Sequence, residues 1–421
     1  MLNLLTDNRT LSSGTPWHLF CLSSLYFAQG LPVGFLFLAL NTYFASKGAS
    51  ITELAVFSSL LLIPWTIKIF LAPFVDTFTI RKFGRRRFWI LSSQLGMVCV
   101  LFPLTIIGSE LSIYAIGLIG MLVNLFIAFQ DLSTDALAAD SLEEITLSKA
   151  NGLMWGSQIA GKGIGMLLGT SLYFSFGIPF GISILIALIM LLFLVPLLSK
   201  ELDFKVGHKP VLIQKNILAP KNLLKEVAKV FSDNRAWWAI LFLIFINLGS
   251  GVYEVIYNKF FLEELNWTGE MIGKLRPWGL LSGGLMGLTV GILGTYYQRH
   301  LLLFFFIFTQ ILIYFFLGIF SDGISNSFAY TIIIGIDMAG AAISVCMFAI
   351  LMAFCFSQTS ATNFGIFMGL ANVSTLIGNN LAPYLVEAFS YSGSFIFCSL
   401  SLIPAALLTF KLVKKNLIKT A

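Results

Sequence analysis

Apolar runs of membrane length alternate with short polar breaks along almost the whole chain. A helix rising 1.5 Å per residue needs about 20 apolar residues to cross about 30 Å of hydrocarbon. Twelve runs of that kind are present. The first six lie at about residues 17–45, 53–75, 88–108, 111–135, 148–176 and 179–199. The second six lie at about 236–262, 270–296, 300–320, 327–356, 362–389 and 391–411. Between the two sets runs the one long polar stretch, Lys200 to Arg235, rich in basic residues and carrying Pro210 and Pro220. The pattern predicts an all-α integral membrane protein of twelve transmembrane helices in two six-helix, pseudo-symmetric halves. Residues 1–199 form the first half, 200–235 a cytoplasmic linker and 236–421 the second half.

Charge orients this arrangement. Between the second and third runs, Arg81, Lys82, Arg85, Arg86 and Arg87 crowd into one short loop, and basic residues in short loops stay on the cytoplasmic side. The linker and the tail with Lys411, Lys414, Lys415 and Lys419 agree with that side. The outer loops offer only Lys47, Lys259, Lys274 and Arg276. With an even number of spans both termini are expected to be cytoplasmic. The first run is too long for a signal-peptide core and is expected to be retained as a span.

Composition narrows the class of function. Hydrophobic residues make up 57% of the 421 and charged residues 11%, and the mean hydropathy is +0.89. That leaves too little polar surface to cover a soluble globule. The net charge of +6 is accounted for by positive-inside bias and calls for no nucleic acid. The five cysteines, Cys21, Cys99, Cys346, Cys355 and Cys398, sit in apolar runs without disulfide or metal spacing. His18, His208 and His300 stand singly. No nucleophile–base pairing or phosphate-cradling loop is evident, so neither an enzyme, a cofactor nor a bound metal is expected.

An internal repeat is visible. A shift of 217 residues superposes Gly34 on Gly251, Asn41 on Asn258 and Phe44 on Phe261, in the first and seventh spans. Glycines also step along the fifth span (Gly152, Gly156, Gly161, Gly165, Gly169) and along the eighth (Gly279, Gly283, Gly287, Gly291, Gly294). Small residues at that spacing let helices approach closely. They read either as tight packing or as a sliding interface.

A charge in hydrocarbon costs roughly 2.5–3.5 kcal/mol on insertion scales, so each one needs a partner, a cavity or a helix end. Asp131 and Asp135 share a face of the fourth span, Glu254 lies in the seventh and Asp337 in the tenth. Lys162 lies inside the fifth, Lys68 is near enough to an end to snorkel, and Arg276 is the third candidate for an intramembrane cation. The first span adds Gln29, Gly30, Pro32, Gly34 and Asn41, and Pro32 removes a backbone donor, giving a kink or exposed carbonyls. Glu254, Asp337, Asp131, Asp135, Lys162, Gln29 and Asn41 are therefore the candidate proton and substrate pathway. For Asp131 and Asp135 the competing reading is a gate pairing with Lys162 or a loop arginine. Trp65, Trp155, Tyr253, Tyr257 and Trp278 are either cavity lining or interfacial and packing residues.

Asp76, followed by Gly84, Arg85, Arg86 and Arg87, resembles the loop signature of the major facilitator superfamily. YFAQGLPVGF (Tyr26 to Phe35), PWTIKIFLAPFVD (Pro64 to Asp76), FGRRRFW (Phe83 to Trp89) and QDLSTDALAAD (Gln130 to Asp140) resemble one cluster within it. That cluster holds the RhtX/FptX siderophore permeases, the AmpG muropeptide permeases and acetyl-CoA transporters. The resemblance implies a cavity lined by spans one, four, seven and ten, and a cytoplasmic gate clamp made by Asp76, Gly84 and Arg85 to Arg87. Thr77 stands where an arginine commonly follows the aspartate, so part of the clamp is altered. It also implies a proton-coupled importer of a bulky polar solute in the bacterial inner membrane. A siderophore ranks first as solute, an anhydro-muropeptide second and acetyl-CoA third. The expected partners are that small-molecule substrate, protons and the lipid bilayer, with the chain acting as a monomer. The rival from a different class is a membrane receptor that binds without transporting.

Overall fold

The computed structural model describes residues 16–77, 84–108, 110–142, 144–201, 232, 234–294, 296–321, 323–354 and 360–414. Among them helices take up nearly everything, as a bilayer demands of backbone that cannot hydrogen-bond to water. The first six are α1 (Pro16–Ser46), α2 (Ile51–Thr66, continued as Lys68–Thr77), α3 (Arg85–Leu101), α4 (Ile113–Ser141), α5 (Glu144–Phe176) and α6 (Ile178–Leu198). The second six are α7 (Asn234–Glu263), α8 (Gly269–Leu293), α9 (Arg299–Ile319), α10 (Asn326–Phe354), α11 (360–389) and α12 (391–414). The last two run together and are separated by the left-handed backbone of Ser390, φ 56°. Eight continuous helices qualify as spans by length and hydropathy, the run of α11 and α12 counting as one. α5 and α8 are as long, but Lys162, Arg276 and many glycines dilute their apolar character.

The helix ends follow the local sequence. Ser50 and Glu53 cap α2 reciprocally: the Glu53 N–H donates to Ser50 Oγ (3.2 Å) and the Ser50 N–H to Glu53 Oε2 (2.8 Å). Ser112 and Thr268 do the same one-sidedly for α4 and α8. The break expected at Pro32 takes a different form. α1 does not open but passes into a π-helical segment, Val33–Ala39. Bonds reaching back five residues, such as Leu40 N–H to Phe35 O, absorb the register lost where proline brings no donor.

By contact the described helices form two compact units. The first comprises residues 1–44 with 70–208, the second residues 45–69 with 209–421. The second unit thus contains most of α2, which packs on the α11–α12 run. There the Asn372 amide donates to Trp65 O (3.2 Å) and the Asn380 amide to Ser59 Oγ (3.0 Å).

Helices in the two units meet in the same way. In the first, a Cβ on Gly165 would lie 2.4 Å from Leu31 O and 3.1 Å from Gly34 Cα. In the second, a Cβ on Gly378 would lie 2.3 Å from Leu248 O and 3.0 Å from Gly251 Cα. Leu31 and Gly34 map onto Leu248 and Gly251 under the 217-residue shift, so α1 on α5 and α7 on α11 are one joint built twice. On α5, Gly161, Gly165 and Gly169 all face α1, whereas Gly152 and Gly156 border open space.

Outward faces are apolar too. On α9, His300, Leu303, Phe306, Ile307, Gln310, Tyr314 and Leu317 are buried at helical spacing. Phe305, Phe308, Leu312, Phe315, Phe316 and Ile319 are exposed on the other side. A helix apolar on its solvent-facing side has hydrocarbon as its solvent.

Candidate functional site

The second unit carries a buried charge cluster on three helices. Arg276, two turns into α8, is 2% exposed. Its Nη1 donates to Asp337 Oδ2 of α10 at 2.8 Å, and its Nη2 to Glu254 Oε1 of α7 at 3.2 Å. The guanidinium also lies over two tyrosine rings of α7, 4.8 Å from the centroid of Tyr257 and 5.8 Å from that of Tyr253. Tyr253 in turn packs on Tyr314 of α9, with ring centroids 5.5 Å apart. One wall of the cluster is made by an absence: a Cβ on Gly279 would fall 2.2 Å from Asp337 Oδ2, so only glycine leaves the carboxylate its place.

The two acids singled out in α7 and α10 are thus brought together by Arg276, which the sequence offers both as an outer-loop candidate and as one of three intramembrane cations; the structure buries it in α8. Its burial depends on carboxylates 22 and 61 residues away in sequence. The signal that decides between the two readings is the need of Glu254 and Asp337 for a counter-charge near their own depth, which Arg276 meets. Tyr253 and Tyr257 belong to the cluster as buried residues, while Trp278 and Trp155 are exposed.

The candidates of the first unit form a separate polar array. The Gln158 amide of α5 donates to Gln29 Oε1 of α1 at 3.2 Å, and the Gln130 amide of α4 donates to Leu25 O at 3.0 Å. The Tyr26 hydroxyl donates to Asp135, with Asp131 beside it. Asp131 is buried and Asp135 exposed. Lys162 is half-buried, and its carbonyl meets Gly34, where a Cβ would approach to 2.3 Å. Asn41 is buried at 2% exposure on α1.

In the loop signature, Gly84 is the N-cap of α3 at φ 93° and faces Glu201, whose Oε2 would lie 2.4 Å from a Cβ there. The Glu201 carboxylate accepts from the N–H groups of Arg86 (3.0 and 3.1 Å) and Arg87 (2.8 Å) at the positive end of α3. Arg87 donates to Pro196 O (Nε, 2.7 Å) and Leu197 O (Nη2, 2.6 Å) at the negative end of α6. The Arg86 side chain is buried and Arg85 exposed. Asp76 is on the second segment of α2; its side chain, and residues 78–83, lie outside the described residues. Among the described residues no group of three His, Cys, Asp or Glu side chains could hold a metal ion.

Comparison with known proteins adds identity of lineage to this geometry. The sequence profile described as Major Facilitator Superfamily matches residues 22–367. A protein of Rickettsia prowazekii (strain Madrid E) described as a transporter, AmpG 1, is 24% identical over 94% of this chain and 98% of its own length. The anhydromuropeptide permease of Escherichia coli (strain K12) is 22% identical over 91% of this chain and 77% of its own. Among solved structures, a bacterial homologue of the human lysosomal transporter Spinster, inward-facing and unoccupied, superposes with a TM-score of 0.72. It is 12% identical, over 96% of this chain and 99% of that one. A point mutant of the nucleoside transporter NupG superposes with a TM-score of 0.69 at 16% identity, over 94% and 99% of the two chains.

Proposed function

The chain belongs to the major facilitator superfamily, and from that premise we propose that this multi-pass membrane transporter is a proton-coupled importer of anhydro-muropeptides in the bacterial cytoplasmic membrane. The relatives named for AmpG and for anhydromuropeptide transport support the muropeptide over the siderophore that the sequence motifs ranked first. Both termini face the cytoplasm in this reading, as the basic loop and tail favour, and the solute crosses by alternating access.

The observation that carries proton coupling is the charge count in the second unit. Two carboxylates, Glu254 and Asp337, share one guanidinium. With both ionised the cluster holds one more negative charge than its single cation offsets, and a carboxylate that loses its share of the guanidinium in a low-dielectric interior takes up a proton. Asp337, against Gly279 at 9% side-chain exposure, is the fixed member; Glu254, 31% exposed, is the more accessible one.

Accumulation in proteoliposomes tests the reading, with labelled anhydro-muropeptide and labelled ferric siderophore, each with and without an imposed inward proton gradient. Gradient-driven uptake of the muropeptide is expected. Glu254→Gln is expected to lose uphill uptake by at least about tenfold and to keep exchange of solute for solute. Muropeptide uptake indifferent to the gradient would remove the coupling, and uptake of the siderophore alone would replace the solute.

A further inference from the structure

The guanidinium of Arg276 is only partly used. Nη1 is held by Asp337, and one oxygen of Glu254 takes Nη2, while Nε is buried and has no hydrogen-bond partner among the described residues. In an arginine side chain Nε–H and the outer Nη2–H point the same way and form one edge, made for both oxygens of a carboxylate. Glu254 takes only the Nη2 member of that edge, at the longer of the two distances and from the more exposed of the two carboxylates. An unmet donor of a cation this deeply buried is costly, and a second oxygen would satisfy it.

We propose that the Nε–Nη2 edge of Arg276 is the docking site for a carboxylate of the transported solute, and that Glu254 occupies it while the solute is absent. The proposal rests on the proton-coupled reading above and names the chemistry of the solute that reading requires. A solute carboxylate enters from the exposed side of Glu254, takes Nε and Nη2 together, and frees the glutamate. Glu254, now without its cation, binds a proton, so one carboxylate and one proton enter and the charge of the cluster is unchanged. Asp337 stays on Nη1 and keeps the arginine aimed. Among the described residues, the titratable groups around Glu254 are Arg276 from α8, Asp337 from α10, Tyr253 and Tyr257 from α7 itself, Tyr314 from α9 and, behind the tyrosines, Cys398 from α12. The aromatic faces of Tyr253 and Tyr257 hold the guanidinium plane through the exchange.

Thermal stabilisation of the purified full chain by matched acids and amides tests the site without requiring transport. The probes are anhydro-muropeptide and its carboxamide, and an N-acetyl dipeptide acid and its amide. The wild type is expected to bind an acid at least about tenfold better than its amide, with Glu254→Gln tightening the acid at least about threefold because the internal competitor is gone. Arg276→Gln combined with Asp337→Asn removes a cation and an anion together, which protects folding, and is expected to erase the preference for acids. Equal response to acid and amide, no response to any acid, or no tightening in Glu254→Gln would overturn the proposal. A preference for the dipeptide acid with none for the muropeptide would keep this site and remove the muropeptide from the proposed function.

Discussion

A single missing methyl group sets the position of Asp337. Because a Cβ on Gly279 would stand 2.2 Å from Oδ2, Gly279→Ala must push the carboxylate off its line to Arg276 Nη1. Uptake is expected to fall by about tenfold or more with expression retained. Gly291, further along the same row, has nothing within 4 Å of a built Cβ, so Gly291→Ala should change uptake little and stability by less than about 0.5 kcal/mol. Transport assays on the pair check this; equal losses would show that the row matters as a row and not through Asp337. The acids themselves were legible in the sequence, since a mid-span carboxylate needs a physical account. Their cation was legible only as one of three candidates, with Lys162 and Lys68, because Arg276 lies close to the start of α8 and only the packing of α7, α8 and α10 takes it out of water.

Among elements, the close joints are the most specific structures. Gly34→Ala would place a Cβ 2.3 Å from Lys162 O, and Gly251→Ala one 2.2 Å from Thr375 O. Backbone atoms cannot step aside as a rotamer does, and overpacking of this kind costs about 1–3 kcal/mol. Each substitution is expected to lower the thermal midpoint in detergent, the two by similar amounts, while Gly152→Ala, facing open space, leaves it unchanged. The helices were readable to within a few residues, because hydropathy reports a solvent and the bilayer is a uniform one. The joint was readable only as a faint repeat, since hydropathy carries no record of which small residue meets which carbonyl. The π-helical segment of α1 escaped for a related reason: Pro32 announces a lost donor, and the sequence alone does not say how the following carbonyls are satisfied.

At the scale of the whole molecule, the basic loop and tail predict which side of the membrane each loop faces. Alkaline phosphatase, active only outside the cytoplasm, is expected to be active when fused at Gly48 and inactive when fused at Lys200, on either side of the basic loop. The reverse pattern would invert the proposed topology. The twofold joint has a mechanical meaning as well. Where α1 lies on α5 and α7 on α11, main chain touches main chain, and each pair behaves as a stiff spine that no side-chain motion can loosen. In the proposed transport cycle, bending is expected where the helices are already irregular: the wide turns after Pro32 in α1, and Ile67, where α2 breaks before resuming at Lys68.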